Sequence, residues 1–255
     1  MGRLWGATAF VGRSAELSAL REAWGTAVGG QPCWVLVGGE AGIGKTRLIS
    51  EFADQVSAEG ARVLVGNCPS VAPELVPFAP VVEVLRELGP AVADGLARGH
   101  AEAIARLLEV ELPAGRSGMP GETERARLLG AVRAVLERQC AESPLLVVFE
   151  DLHWVDTSTR EVLVFLASQA PRGQIMFVGT YRDDQRAAGQ RLWSLHDICQ
   201  PVSHGEHGVN LRRRQQISVH RLLPARRVPG LDQYLGLAVV IVPRHRHLQP
   251  PEGMN

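Results

Sequence analysis

Gly39-Glu40-Ala41-Gly42-Ile43-Gly44-Lys45-Thr46 has the form GxxxxGK[ST]. Residues of these types at this spacing suit one chemistry. The glycines let successive backbone N–H groups turn inward around an anion, and a helix that begins at the lysine aims its partial positive end at the same point. In this pattern Lys45 reaches the β- and γ-phosphates of a nucleoside triphosphate, and the Thr46 hydroxyl ligates Mg²⁺. The bland alternative is a glycine turn that happens to precede a helix. Composition speaks against it: the chain has 27 basic side chains, and Lys45 is its single lysine among arginines.

About 105 residues further on, Leu145-Leu146-Val147-Val148-Phe149 is a continuous apolar run that ends in Glu150-Asp151. A buried strand that delivers acids at its C-terminal end puts them where ligands bind to a parallel sheet. Glu150 is expected to hold Mg²⁺ and Asp151 to orient the attacking water. The usual first acid of such a pair is Asp, so the reverse assignment, with Asp151 on the metal, stays open. Arg182 follows a later apolar run and is expected to sense the γ-phosphate; the alternative is a surface arginine paired with Asp183 or Asp184. His153 and Trp154 read as packing residues, and Asp156 reads as a helix N-cap.

These residues need a scaffold, and the periodicity supplies one. Helices are expected over Ser14–Val28, Lys45–Val56, from Pro80 to Gly89, over Ala101–Val110, Glu122–Cys140 and Asp156–Ala170. Strands are expected over Cys33–Val37, Ala61–Val65, Leu145–Phe149 and Ile175–Val178, with a Gly/Pro-rich loop from Pro113 to Gly121. Strands that are apolar throughout and alternate with helices indicate an α/β fold: a mostly parallel sheet with helices on both faces. With the phosphate loop after the first strand, the expected fold is that of a P-loop NTPase, followed by an irregular tail.

The chain has 255 residues and a formal net charge of zero. Residues 1–185 carry 17 basic and 23 acidic side chains, whereas residues 186–255 carry 10 basic and 4 acidic, so two unlike segments cancel. This division sets the expected domains: a P-loop ATPase domain over 1–185 and a basic, poorly patterned tail over 186–255. No apolar run approaches the roughly 18 residues of a membrane helix. Four cysteines without a CxxC pair exclude a zinc ribbon and a disulfide framework, and fit a reducing cytoplasm.

The order of four motifs carries a further resemblance. Phe10-Val11-Gly12-Arg13 with Glu16-Leu17, then GGEAGIGKTRL, LLVVFEDLHWVD and GTYRDD, resemble the AAA-type ATPase domain at the N-terminus of large LuxR-type transcriptional regulators, in the STAND class. The resemblance spans residue 10 to about 185. It implies that the nucleotide is ATP, and that Val11, Gly12 and Arg13 lie against its adenine and ribose. It also implies a regulatory switch that hydrolyses ATP slowly, self-associates or engages larger regulator partners, and meets DNA only through modules absent from this chain. The alternative is a module that binds nucleotide or protein without turnover. The tail does not resemble the family's continuation, so a truncated chain is expected. Residues 186–255 read either as a frame-shifted remnant or as a basic arm around Arg212, Arg213 and Arg214.

Overall fold

The computed structural model describes residues 12–70, 76–109 and 121–182, together with the backbone of 226–227 and 234–241. Val11, Asp183, Asp184, most of the loop at 113–121 and most of the tail lie outside the described residues.

Four strands form the centre: β1 (Cys33–Gly39), β2 (Arg62–Asn67), β3 (Leu145–Glu150) and β4 (Ile175–Arg182). They pair in parallel in the order β2-β3-β4-β1. Beyond β1, a strand from the unpatterned stretch, β6 (Tyr234–Ile241), pairs in parallel with β1, and the short β5 (Arg226–Arg227) pairs antiparallel with β6. Because the central strands run the same way, Gly39, Asn67, Glu150 and Arg182 all finish on one edge of the sheet.

Among the described residues, six α-helices pack about the sheet: α1 (Ser14–Val28), α2 (Lys45–Ala58), α3 (Ala79–Glu87), α4 (Arg98–Glu109), α5 (Glu122–Glu142) and α6 (Thr157–Ser168). Side chains alternate across a strand, so each strand feeds two cores. Cys33, Val35, Val37, Leu146, Val148, Met176 and Val178 face α1 and α2. Trp34, Leu36, Leu145, Val147, Phe149, Ile175 and Phe177 face α3 to α6. This is why β1, β3 and β4 read as continuous apolar runs: neither face is wet. Trp34 and Phe177 lie side by side in the β1–β4 ladder and stack with ring centroids 4.4 Å apart.

The structure carries the four central strands one to four residues past their expected ends, β4 the furthest. The strand expected to stop at Val178 continues to Arg182, because β1 runs alongside it as far as Gly39. Thr180, Tyr181 and Arg182 therefore sit in the sheet instead of following it.

The outer edge of β2 is closed by α3. Glu87 accepts a hydrogen bond from the Val65 N–H (3.1 Å) and Glu83 accepts one from the Asn67 N–H (2.7 Å), which satisfies donors an edge strand leaves bare. The approach is close enough that a Cβ on Gly66 would lie 2.2 Å from the Pro80 carbonyl oxygen. Backbone cannot swing aside as a side chain can. Gly66→Ala is expected to destabilise the fold by about 1–3 kcal/mol, measured as a lower Tm; an unchanged Tm would show that α3 is free to move off the strand.

Candidate functional site

The loop between β1 and α2 takes its shape from its glycines. Gly42 (φ 73°) and Gly44 (φ 96°) occupy the left-handed region, which a residue with a Cβ adopts at a cost. Gly44 is also the N-cap of α2 and brings no side chain to cap the first-turn N–H groups. The loop thus presents a row of backbone donors at the end of a helix. Lys45 is buried, and its ammonium donates to the carbonyl oxygens of Gly39 (2.8 Å) and Glu40 (2.9 Å). The cation sits across the mouth of the loop on these two carbonyls.

The acids arrive from β3, two strands away. Glu150 ends the strand, and its carbonyl accepts from the Cys68 N–H at 3.0 Å, which ties the C-terminal ends of β2 and β3 together. Its carboxylate neighbours the Thr46 hydroxyl, close enough for that hydroxyl to favour the charged form. That contact joins the phosphate loop to the acid strand. Burial and the neighbouring Asp151 charge push the Glu150 carboxyl above the usual glutamate range, and the Thr46 hydroxyl opposes them. Asp151 leaves the strand in the left-handed conformation (φ 56°, ψ 45°), with its side chain 47% exposed. Its N–H donates to the Thr180 hydroxyl at 3.0 Å.

The turn after the acids is packed down. Leu152 is fully buried against Gly179, where a Cβ would come within 2.4 Å of its side chain. His153 is buried beside Trp154, with Nδ1 3.8 Å from a carboxylate oxygen of Asp151. Asp156 caps α6, accepting from the Thr159 N–H at 2.9 Å and from the Thr159 hydroxyl, as its position in sequence suggested.

Two arginines flank the loop. Arg182 is paired in register with Gly39, the residue that opens the loop. Arg13, which the motif order associates with adenine and ribose, has its guanidinium on the protein: it is buried, donates to Glu16 at 2.9 Å, and donates to the Ile43 carbonyl of the loop at 3.1 Å. Gly12 beside it takes a positive φ of 86°. Thus Gly39 to Thr46, Glu150, Asp151, Arg182 and Arg13 gather at one edge of the sheet. A parallel sheet binds ligands there.

Residues 9–178 match the AAA ATPase domain. The chain belongs to that family. Outside the family match, a protein of Rhizobium meliloti (strain 1021), described only as uncharacterized, is 27% identical over 205 residues; the match takes in 71% of this chain and 19% of that protein. The chain therefore spans about a fifth of that relative's length. Among solved structures, a chain of the Drosophila ORC bound to DNA is 16% identical, with 68% of this chain and 38% of that one covered and a TM-score of 0.41. A chain of Drosophila ORC bound to poly(dA/dT) DNA and Cdc6 is 11% identical, with 70% and 26% covered and a TM-score of 0.38. Superpositions this loose carry no conclusion; the family rests on the match over 9–178 and the fold on the strand order described above.

Two features of this AAA ATPase domain were not legible as site elements in its sequence. The Thr180 hydroxyl carries no motif that marks it, and the Arg13–Ile43 bond joins residues 30 apart in the chain. Among the described residues no helix is long and apolar enough to cross a membrane.

Two outcomes are expected from this geometry. A carboxyl raised in the fold costs stability at any pH above its folded value, and that cost disappears as pH falls below the unfolded value. Glu150→Gln is therefore expected to stabilise the ligand-free protein at neutral pH by up to about 1 kcal/mol, discounted for partial exposure, or about 2–4 °C in Tm. The gain should vanish in acid, and a lowered Tm at pH 7 would contradict the electrostatics. Separately, Arg13→Ala strips Glu16 of its buried partner and is expected to cost about 3–5 kcal/mol, whereas Arg13→Met combined with Glu16→Leu should recover most of it; denaturant titration of the three proteins checks this.

Proposed function

We propose that this domain is an ATP-dependent regulatory switch that hydrolyses ATP slowly with Mg²⁺, within a regulator of the LuxR type. The observation that carries the reading is the convergence, at one end of the parallel sheet, of the phosphate loop closed by buried Lys45 with the strand-end acids Glu150 and Asp151, where the Thr46 hydroxyl neighbours the Glu150 carboxylate. Hard oxygen donors of this kind suit Mg²⁺, which is commonly held by one or two protein groups together with phosphate oxygens and water. When bound, Mg²⁺ would be held by Thr46 and Glu150 and would supply charge neutralisation for the phosphates.

The chain's own residues supply the rest. The amides from Gly39 to Thr46, with Glu40, Ala41, Gly42, Ile43 and Gly44 between, surround the phosphates. Lys45 exchanges its two carbonyl acceptors for phosphate oxygens, a swap of partners that needs little movement of a buried cation. Thr46 and Glu150 take the metal. Asp151, half-exposed at the strand end, orients the attacking water. Arg182, level with the start of the loop, contacts the γ-phosphate and reports its presence along β4. Arg13 fixes the loop through Ile43, while Val11 and Gly12 border the base.

The order of motifs supports the STAND-type regulator. In that setting the switch works through self-association or larger regulator partners in the cytoplasm, DNA is reached through modules outside this chain, and the ATPase domain at 1–185 is followed by a basic stretch, 186–255, that returns β6 to the sheet beside β1. The competing reading is a module that binds ATP without turnover.

Titration calorimetry with MgATP separates the possibilities. The parent is expected to bind, and Lys45→Ala to weaken binding at least about 10-fold, the loss of a hydrogen bond to a charged group. Asp151→Asn should keep binding while phosphate release falls about 100-fold or more. Binding without release by the parent would favour the module without turnover, and a folded parent that binds no ATP would sink both readings.

A further inference from the structure

We propose that Thr180 is a positioning residue that fixes the carboxylate of Asp151 for its work on the attacking water, and so couples that acid to the γ-phosphate end of β4. The inference rests on the reading of Asp151 given above.

Asp151 stands where the chain leaves the sheet, in a backbone conformation that residues with a Cβ rarely adopt (φ 56°, ψ 45°). A residue in that region stays there only if its surroundings hold it. Three contacts do so. The Thr180 hydroxyl accepts from the Asp151 N–H at 3.0 Å, the Trp154 N–H donates to the Asp151 carbonyl at 2.9 Å, and Leu152 is locked into the core. The Trp154 bond belongs to the turn itself and travels with it, and Leu152 is held by packing against Gly179 of β4 and not by a directional bond. The Thr180 bond is directional and reaches from another strand. Only 2% of Thr180 is exposed, so no water can replace its hydroxyl easily.

The location adds a second consequence. Thr180 and Arg182 are two residues apart on β4 and so share a face of that strand. Arg182 lies in register with Gly39, and Thr180 with Val37 of the strand that delivers the phosphate loop. One short stretch of β4 thus touches the loop strand on one side and fixes the acid on the other. A small displacement of Arg182 on meeting or losing the γ-phosphate would be felt at Thr180, and through its bond at Asp151. A buried threonine with a merely structural role would affect stability and leave the chemical step alone.

The test compares Mg²⁺-dependent phosphate release by the parent, Thr180→Val and Thr180→Ser, with Kd for MgATP measured on each. Thr180→Val is expected to lower kcat by about 10- to 100-fold, the cost of a misplaced reacting group, with Kd and KM within about twofold of the parent. Thr180→Ser, which keeps the hydroxyl, should restore kcat to within about threefold. Should Thr180→Val not fold, Thr180→Ala removes the same hydroxyl without adding bulk and is read the same way. A folded hydroxyl-free variant with the parent's kcat, a loss confined to Kd, or a serine variant as slow as the valine would overturn the proposal. Turnover by the parent that Asp151→Asn does not diminish would overturn the role of Asp151 itself, and a parent without any phosphate release would overturn the hydrolysis reading on which both stand.

Discussion

The phosphate loop and the acids sit on strands that never touch. β1 carries the loop and β3 carries Glu150 and Asp151, with β4 inserted between them. Parallel neighbours lie about 4.8 Å apart, so loop and acid strand stand about two such spacings from one another, a gap that a triphosphate and its metal can occupy. The rest of the structure serves that spacing. β4 lies between the two strands with Gly179, Thr180 and Arg182 at its end, and the Thr46 hydroxyl neighbours the Glu150 carboxylate. Had β3 paired directly with β1, the carboxylate would crowd the lysine and leave no room for substrate.

Holding that arrangement still requires a sheet that cannot slip. Both faces of β1, β3 and β4 are buried, so a one-residue shift would exchange every side chain between two cores of different shape. The stacked Trp34–Phe177 pair fixes β1 against β4 laterally. On the far edge, the carboxylates of Glu83 and Glu87 stand in for a missing neighbour of β2, and Gly66 lets the start of α3 lie directly on the strand. At the site edge the strands end in groups that are polar and partly open, Asn67, Glu150 and Arg182.

The electrostatics of that edge explain why its cation is a lysine in a chain otherwise rich in arginine. A compact ammonium with three rotatable donors can donate to the carbonyls of Gly39 and Glu40 at once, without the fixed plane of a guanidinium. Arginine serves where a fork is useful: Arg13 reaches Glu16 with one nitrogen and the Ile43 carbonyl with the other. Glu150, raised by burial and by Asp151, pays in stability for a position suited to a cation.

The sequence by itself determined the phosphate loop, the acid strand, the class of fold and most element boundaries. These are local matters: GxxxxGK[ST] dictates a turn and a helix start, and an apolar run buried on both faces can hardly be anything but a central strand. Asp156 as a cap was equally legible, because its partner Thr159 lies three residues away. Tertiary structure alone decided the strand order, the continuation of β4 to Arg182 and the partners of the site residues. β4 runs on because β1 is there to pair with it, a fact of two distant segments. Arg13 meets Ile43, Glu150 meets Thr46 and Thr180 meets Asp151 across 29 or more residues of chain. No periodicity encodes such contacts, since they depend on how the sheet brings its strand ends together.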